Sequence, residues 1–214
     1  MSNKKYVSIT FDDGPQETNG ELLNILKEKG VKCTFFLIGK NMEERPDLVK
    51  RIHSEGHLIG WHSYDHTVQV PNLTVDYLKN DISKADLIFK KIGLDEVKIK
   101  YIRWPGGNYS KEIETVALQC GLPVINWSNY YFNDSIKEDI SAEDRIKQFF
   151  SDENPPQDGD LILIHPRDNK DIINAIAILI DKLRKNGYEP VTVEELLKRQ
   201  SGAIPGKLYC KPIL

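Results

Sequence analysis

An α/β fold, with a parallel sheet inside and helices outside, is what this sequence predicts, and three observations predict it. Strand-like and helix-like stretches alternate about seven times along the chain. The residues able to do chemistry fall just past the ends of the strand-like runs, where parallel α/β folds gather their sites. The length of 214 residues suits one sizeable core and is short for two domains. No repeat, linker or low-complexity block divides the chain. A single barrel-like domain over residues 1–214, with one site, is therefore expected.

The elements follow in order. The apolar run Tyr6-Val7-Ser8-Ile9 is a first strand, ending at Thr10-Phe11-Asp12-Asp13-Gly14-Pro15. Residues 21–29 read as a helix with Leu22, Leu23, Ile25 and Leu26 inward and Gly30 as its stop. Cys33-Thr34-Phe35-Phe36-Leu37-Ile38 is a continuous apolar run, the mark of a strand buried on both faces. Pro46 can open a helix with the stripe Leu48, Val49, Ile52 and a stop at Gly56. Residues 57–61 then form a strand. Thr74 can cap a long helix burying Leu78, Ile82, Ala85, Phe89 and Ile92, stopped at Gly93. Residues 98–102 and 122–127 read as strands around a helix over 110–120. Ser141-Ala142-Glu143-Asp144 resembles a capping box opening a helix through Phe150. After Pro155 and Pro156 come a strand over 161–165, an apolar helix over 172–185, a strand at Val191-Thr192-Val193 and a short helix over 194–199. The tail from Ser201 has no readable period.

Apolar content of 40%, charge of 29% and a net charge of −3 predict no nucleic-acid partner and no docking to an anionic membrane. No apolar run approaches the ~20 residues of a membrane span. Cys33, Cys120 and Cys210 are far apart and odd in number, which argues against metal pairing and against a full disulfide framework.

Asp12 and Asp13 put two carboxylates side by side where a strand gives way to a turn. That is costly unless a cation or a shared proton intervenes. The segment Gly60-Trp61-His62-Ser63-Tyr64-Asp65-His66 gives a reason for a cation. Two histidines four apart share one face of a helical turn and can both bond one metal. One carboxylate with two imidazoles leaves a position for water, a catalytic zinc layout.

Thr10 to Pro15 and His62 to His66 resemble the first two motifs of the polysaccharide deacetylases, the carbohydrate esterases with NodB homology. Arg103-Trp104-Pro105-Gly106-Gly107 resembles the third, Arg-x-Pro-x-Gly, and His165 after Leu161-Ile162-Leu163-Ile164 resembles the fifth. The resemblance spans residues 10–165 in the family's order. It implies a distorted (β/α) barrel of about seven parallel strands with outer helices. It also implies that Asp13, His62 and His66 hold a divalent metal, usually zinc, for which cobalt can substitute. Asp12 would be the general base, Arg103 would hold it ionised and oriented, and His165 would be the general acid. The backbone N–H at Gly106 would meet the developing oxyanion. The implied reaction removes an N-acetyl group, leaving acetate and a free amino sugar. An amine leaves poorly unless protonated, so the reaction needs an acid as well as a base. Trp61, Tyr64, Trp104, Trp127, Tyr130 and Tyr131 could stack on sugar rings, although aromatics at strand ends are as often core. Ser63 is expected to orient its loop, and Asp65 to be a solvated turn residue. His53 and His57 are expected to cap a helix end or lie at the surface.

The family's fourth motif has a Trp followed by an aspartate that tunes the catalytic histidine. Counting strictly from Trp127 places Asn133 there, and one inserted residue places Asp134 there. Asp134 is the expected support of His165, because an amide orients the ring without raising its pKa. Two readings follow. One is a metal-dependent N-deacetylase of GlcNAc-containing polymer, with peptidoglycan ahead of chitin oligomers and acetylated xylan. The other is a metal-binding carbohydrate-binding protein that has lost turnover. The resemblance implies an extracellular or cell-envelope location. Met1-Ser2-Asn3-Lys4-Lys5 nonetheless runs into the first strand with no apolar stretch of a signal peptide, which fits a cytoplasmic or trimmed form. A monomer is expected.

Overall fold

The computed structural model of the chain describes residues 4–66, 74–128, 141–151, 155–167, 169–199, 202–204 and 207–210. Its elements run β1 (Lys5–Gly14), α1 (Asn19–Lys29), β2 (Thr34–Leu37), α2 (Gly39–Glu44), α3 (Pro46–Ser54), β3 (Leu58–Trp61), α4 (Val75–Lys91), α5 (Lys111–Gln119), β4 (Val124–Ile125), α6 (Ala142–Phe149), β5 (Leu161–Ile164), α7 (Lys170–Lys185), β6 (Tyr188–Pro190), α8 (Val193–Lys198) and β7 (Leu208–Tyr209). Local chemistry sets most boundaries. Gly30 ends α1 at φ +62, a left-handed conformation that costs glycine little. Thr74, Ser110, Ser141 and Thr192 each accept a backbone N–H of the helix they open.

β1 is the hub. It pairs in parallel with β2, with Phe11 opposite Phe35 and Asp12 opposite Phe36. It also pairs in parallel with β5, Phe11 opposite Ile164, and at its start with β6. β3 adds to β2, and β4 pairs with β7. Single-residue links complete the ring. Ile102 bridges Trp61 on one side and Val124 on the other. Ser128 then meets Leu161 of β5, its N–H donating to the carbonyl at 3.1 Å. The result is an α/β fold of parallel strands closed by thin seams, a distorted barrel.

Side-chain alternation sorts the strands' residues into two cores. Val7, Ile9 and Phe11 of β1, Phe35 and Leu37 of β2, and Ile162 and Ile164 of β5 face the helices. Phe36, Ile125 and Leu161 point the other way and meet Val193, Leu196 and Leu197 of α8. The second cluster fills the barrel below the site.

The structure corrects several expectations. Residues 98–102 are not a strand but an irregular segment with one bridging residue. The strand expected over 122–127 shortens to β4. Thr192 caps a helix and Val193 begins it, and the strand lies earlier, at β6. Helix α2, read as nothing in the sequence, follows β2 directly, and the tail holds β7. His57 is neither a cap nor at the surface. It is 5% exposed and its Nδ1 accepts the Cys33 N–H at 3.1 Å.

Candidate metal centre and active site

Successive side chains of a strand point to opposite faces, so Asp12 and Asp13 would part company in a regular β1. The register between β1 and β2 slips between Asp12 and Gly14, and Asp13 sits at the slip with φ +67. A bulge of this kind re-aims a side chain. Asp13 consequently faces both histidines: its Oδ1 lies 3.4 Å from His62 Nε2 and 3.3 Å from His66 Nε2. His62 Nε2 is also 3.7 Å from Asp12 Oδ2.

The histidine pair is not on a helical turn. His62 and His66 lie in a loop after β3 where Ser63 (φ +63) and His66 (φ +57) are both left-handed. His62 Nδ1 lies 2.7 Å from the Arg103 carbonyl and donates its proton there, which turns the Nε2 lone pair toward Asp13. The Ser63 hydroxyl accepts the His66 N–H at 3.1 Å, orienting the loop. Asp81 of α4 holds the same loop from behind, a role with no motif to announce it. Its carboxylate accepts the Trp61 indole N–H at 2.7 Å and the Tyr64 N–H at 2.9 Å.

Arg103 is fully buried, and all three of its nitrogens donate hydrogen bonds. Its Nη1 donates to Asp12 Oδ1 at 2.7 Å and to Thr10 Oγ1 at 2.8 Å; Nε and Nη2 donate to the Ile125 and Asn126 carbonyls, each at 2.8 Å. The Phe36 ring lies 4.1 Å from the guanidinium carbon. Only one nitrogen, Nη1, reaches Asp12, so Arg103 holds it by a single bond within a wider network. His165 follows β5, half-buried, with Nε2 3.9 Å from Asp13 Oδ2.

The loop after Ile102 turns at Gly106 (φ +67) and Gly107 (φ +68). Gly106 is exposed. A Cβ on Gly107 would come 2.6 Å from the Trp127 ring, so that ring packs on the loop's backbone. Asn126 holds the loop as well, donating from Nδ2 to the Gly107 carbonyl at 2.7 Å. Trp61 and Trp104 are wholly buried and cannot stack on a sugar, which corrects that expectation. Tyr64 donates its hydroxyl to Glu43 of α2 at 2.8 Å and carries Lys84 over its ring. Trp127 stays half-buried at the site. Asn133, Asp134, Tyr130 and Tyr131 lie outside the described residues.

The residues fit a divalent cation. Asp13, His62 and His66 offer one donor atom each, all within 4.8 Å of one another. Asp13 Oδ1 is buried and has no hydrogen-bond partner among the described residues, an orphan that a cation would satisfy. Burial pushes the Asp13 carboxyl up, but the neighbouring His62, then His165 and His66, outweigh it and leave it at about 2. Burial pushes His66 down, with the Asp13 charge opposing and His62 assisting. An ionised carboxylate and neutral imidazoles are the states that bind metal.

The polysaccharide deacetylase family model matches residues 1–125, which contain Asp12, Asp13, His62, His66, Arg103 and Gly106, but not Asn126, Trp127 or His165. The chain belongs to the polysaccharide deacetylase family. It is 30% identical over 200 residues to a peptidoglycan-N-acetylglucosamine deacetylase of Bacillus cereus, covering 92% of this chain and 90% of that protein. A bifunctional xylanase/deacetylase of Pseudobutyrivibrio xylanivorans is 32% identical over 97% of this chain, which spans 33% of that longer protein. Among solved structures, a family 4 acetyl xylan esterase from Clostridium thermocellum, in complex with a cobalt ion, superposes with a TM-score of 0.83 at 27% identity, covering 98% of this chain and all of that one. A deacetylase of this family is a metal-dependent hydrolase acting on acetylated polysaccharide, and that is the activity of this fold and site.

Proposed function

We propose that the protein is a zinc-dependent N-deacetylase of GlcNAc-containing polysaccharide, with peptidoglycan the favoured polymer and chitin oligomers or acetylated xylan the alternatives. The observation that carries this reading is the Asp13, His62, His66 set with a second, separately held carboxylate, Asp12, 3.7 Å from His62. The relatives named for peptidoglycan N-acetylglucosamine favour an amide over an ester substrate. A cell-envelope location belongs to the same proposal.

Asp13, His62 and His66 would hold the metal, which supplies a nucleophile at neutral pH and polarises a carbonyl oxygen. Asp12 takes the proton of the attacking water. It is suited to that task because Arg103 and the barrel wall fix it in one orientation while its Oδ2 stays on the histidine side. The N–H of Gly106, an exposed turn residue, donates to the oxyanion as charge develops. His165, with Nε2 3.9 Å from Asp13 Oδ2, gives a proton to the leaving nitrogen. Trp127 borders the sugar. The reading of lost turnover gains no support among the described residues, because base, arginine, metal set and distal histidine all converge.

Mass spectrometry of acetylated peptidoglycan fragments, chitin oligomers and acetylxylan after incubation with the zinc-loaded protein tests the proposal. Loss of one acetyl mass, about 42 Da, from the GlcNAc-containing set is the expected outcome. Turnover confined to acetylxylan would overturn the amide reading, and no turnover of any of the three would overturn catalysis.

A further inference from the structure

We infer that Asp81 is the positioning residue of the metal centre: reaching in from α4, it clamps the chain on both sides of His62 and thereby sets the spacing of the two imidazoles. This rests on the metal-site reading above.

Asp81 lies near the middle of α4 and is 1% exposed. A carboxylate in such a place is expensive to desolvate, so its retention asks for a reason. Its two oxygens are used separately. Oδ1 takes the indole N–H of Trp61, the residue before His62, and Oδ2 takes the backbone N–H of Tyr64, two residues after it. Both partners are donors only. An acceptor-only side chain with two oxygens satisfies them together; an amide would set its NH₂ against one of them. The choice of aspartate over asparagine follows from the geometry, since a buried carboxylate is otherwise the costlier group.

The loop needs an external clamp. Ser63 and His66 both hold left-handed backbone, which is strained for a non-glycine residue and persists only where the surroundings over-determine it. Backbone bonds fix part of it: His62 N–H to the Leu37 carbonyl, Gly39 N–H to Ser63 and Lys40 N–H to Tyr64. These tie the loop to β2 and α2 along one side. Asp81 ties it from the other, through α4. Gly39 belongs to the same arrangement, because a Cβ there would come 2.5 Å from the Trp61 ring and 2.8 Å from Tyr64. Trp61, Tyr64, Gly39 and Asp81 thus form a frame around the ligand-bearing loop, and Asp81 is its carboxylate member.

Zinc affinity of the metal-free protein, measured by chelator competition, tests this, with the cobalt absorption spectrum as the second readout. Asp81→Asn should weaken zinc binding about ten- to a hundredfold, the usual size of a lost outer-shell support. The cobalt spectrum should shift while the far-ultraviolet circular dichroism of the metal-free protein stays that of the wild type. Trp61→Phe removes one of the two ties and should weaken binding less; it carries the test if Asp81→Asn does not fold. Zinc affinity within twofold of wild type and an unchanged cobalt spectrum in the folded variants would overturn the inference, even if their thermal stability fell. A wild-type protein that takes up no zinc would instead overturn the metal-site reading itself.

Discussion

At the residue scale the central arrangement is two adjacent aspartates in different surroundings, because Asp13 sits at the slip of β1 against β2. Both carboxylates were legible in the sequence because Asp-Asp at a strand end is a local, costly pattern. The resemblance implied separate roles for them, but the bulge that parts them was not legible, since it depends on the slip of β1 against β2. Asp12→Asn keeps an acceptor for Arg103 but cannot take a proton, so kcat should fall by about 10²–10⁴ with metal content unchanged. Loss of metal in that variant, by elemental analysis, would mean the aspartates have exchanged roles. Asp81 left no trace in the sequence for a related reason: a lone acidic residue on an amphipathic helix looks solvated until the fold shows what lies over it. His57 misled in the same way. Burial pushes its pKa down to about 4, with Lys32 assisting and Glu55 opposing. The unfolded chain therefore binds the proton that the folded one refuses. Stability is intact above about pH 6.5 and is lost as pH falls toward 4, by about 3 kcal/mol in all. His57→Asn, which keeps an acceptor for the Cys33 N–H, should flatten the dependence of Tm on pH over that window; an unchanged slope would contradict it.

Helices were the more legible elements, because period and caps are local. Thr74, Ser110, Ser141 and Thr192 all cap as side chains of their type do, although Thr192 was read as strand. Short strands were harder. β4, β6 and β7 are two or three residues long and owe their extended form to a partner, not to their own pattern. The Gly106–Gly107 turn joins both kinds of signal: glycine announces the turn, while the Trp127 ring above it is a tertiary fact. Gly107→Ala should cost about 1–3 kcal/mol from the positive φ alone, and more if Trp127 is displaced. A Tm drop together with altered Trp fluorescence would report it. Wild-type stability would mean the turn relaxes to another shape.

For the whole molecule, the alternation of elements and the family resemblance pointed to a barrel-like α/β domain, while the seams that close it escaped the sequence because they hang on single residues. Ser128 is one of them. Its hydroxyl donates to the Leu161 carbonyl at 3.1 Å and accepts the Leu161 N–H at 3.2 Å. Ser128→Ala should strand the Leu161 N–H and destabilise the protein by about 1–3 kcal/mol, a fall of roughly 2–4 °C in Tm for each kcal/mol. An unshifted Tm would mean the seam is not under load. If this ring of strand ends assembles one metal-dependent deacetylase site, activity and metal must come and go together. Acetate release by one preparation is measured as isolated, after chelation and after stoichiometric zinc is returned, with metal content counted at each stage. One metal per chain is expected, with activity lost on chelation and restored by zinc, and neither metal nor activity in the His62→Ala, His66→Ala double variant. Acetate release that survives complete removal of metal would contradict it.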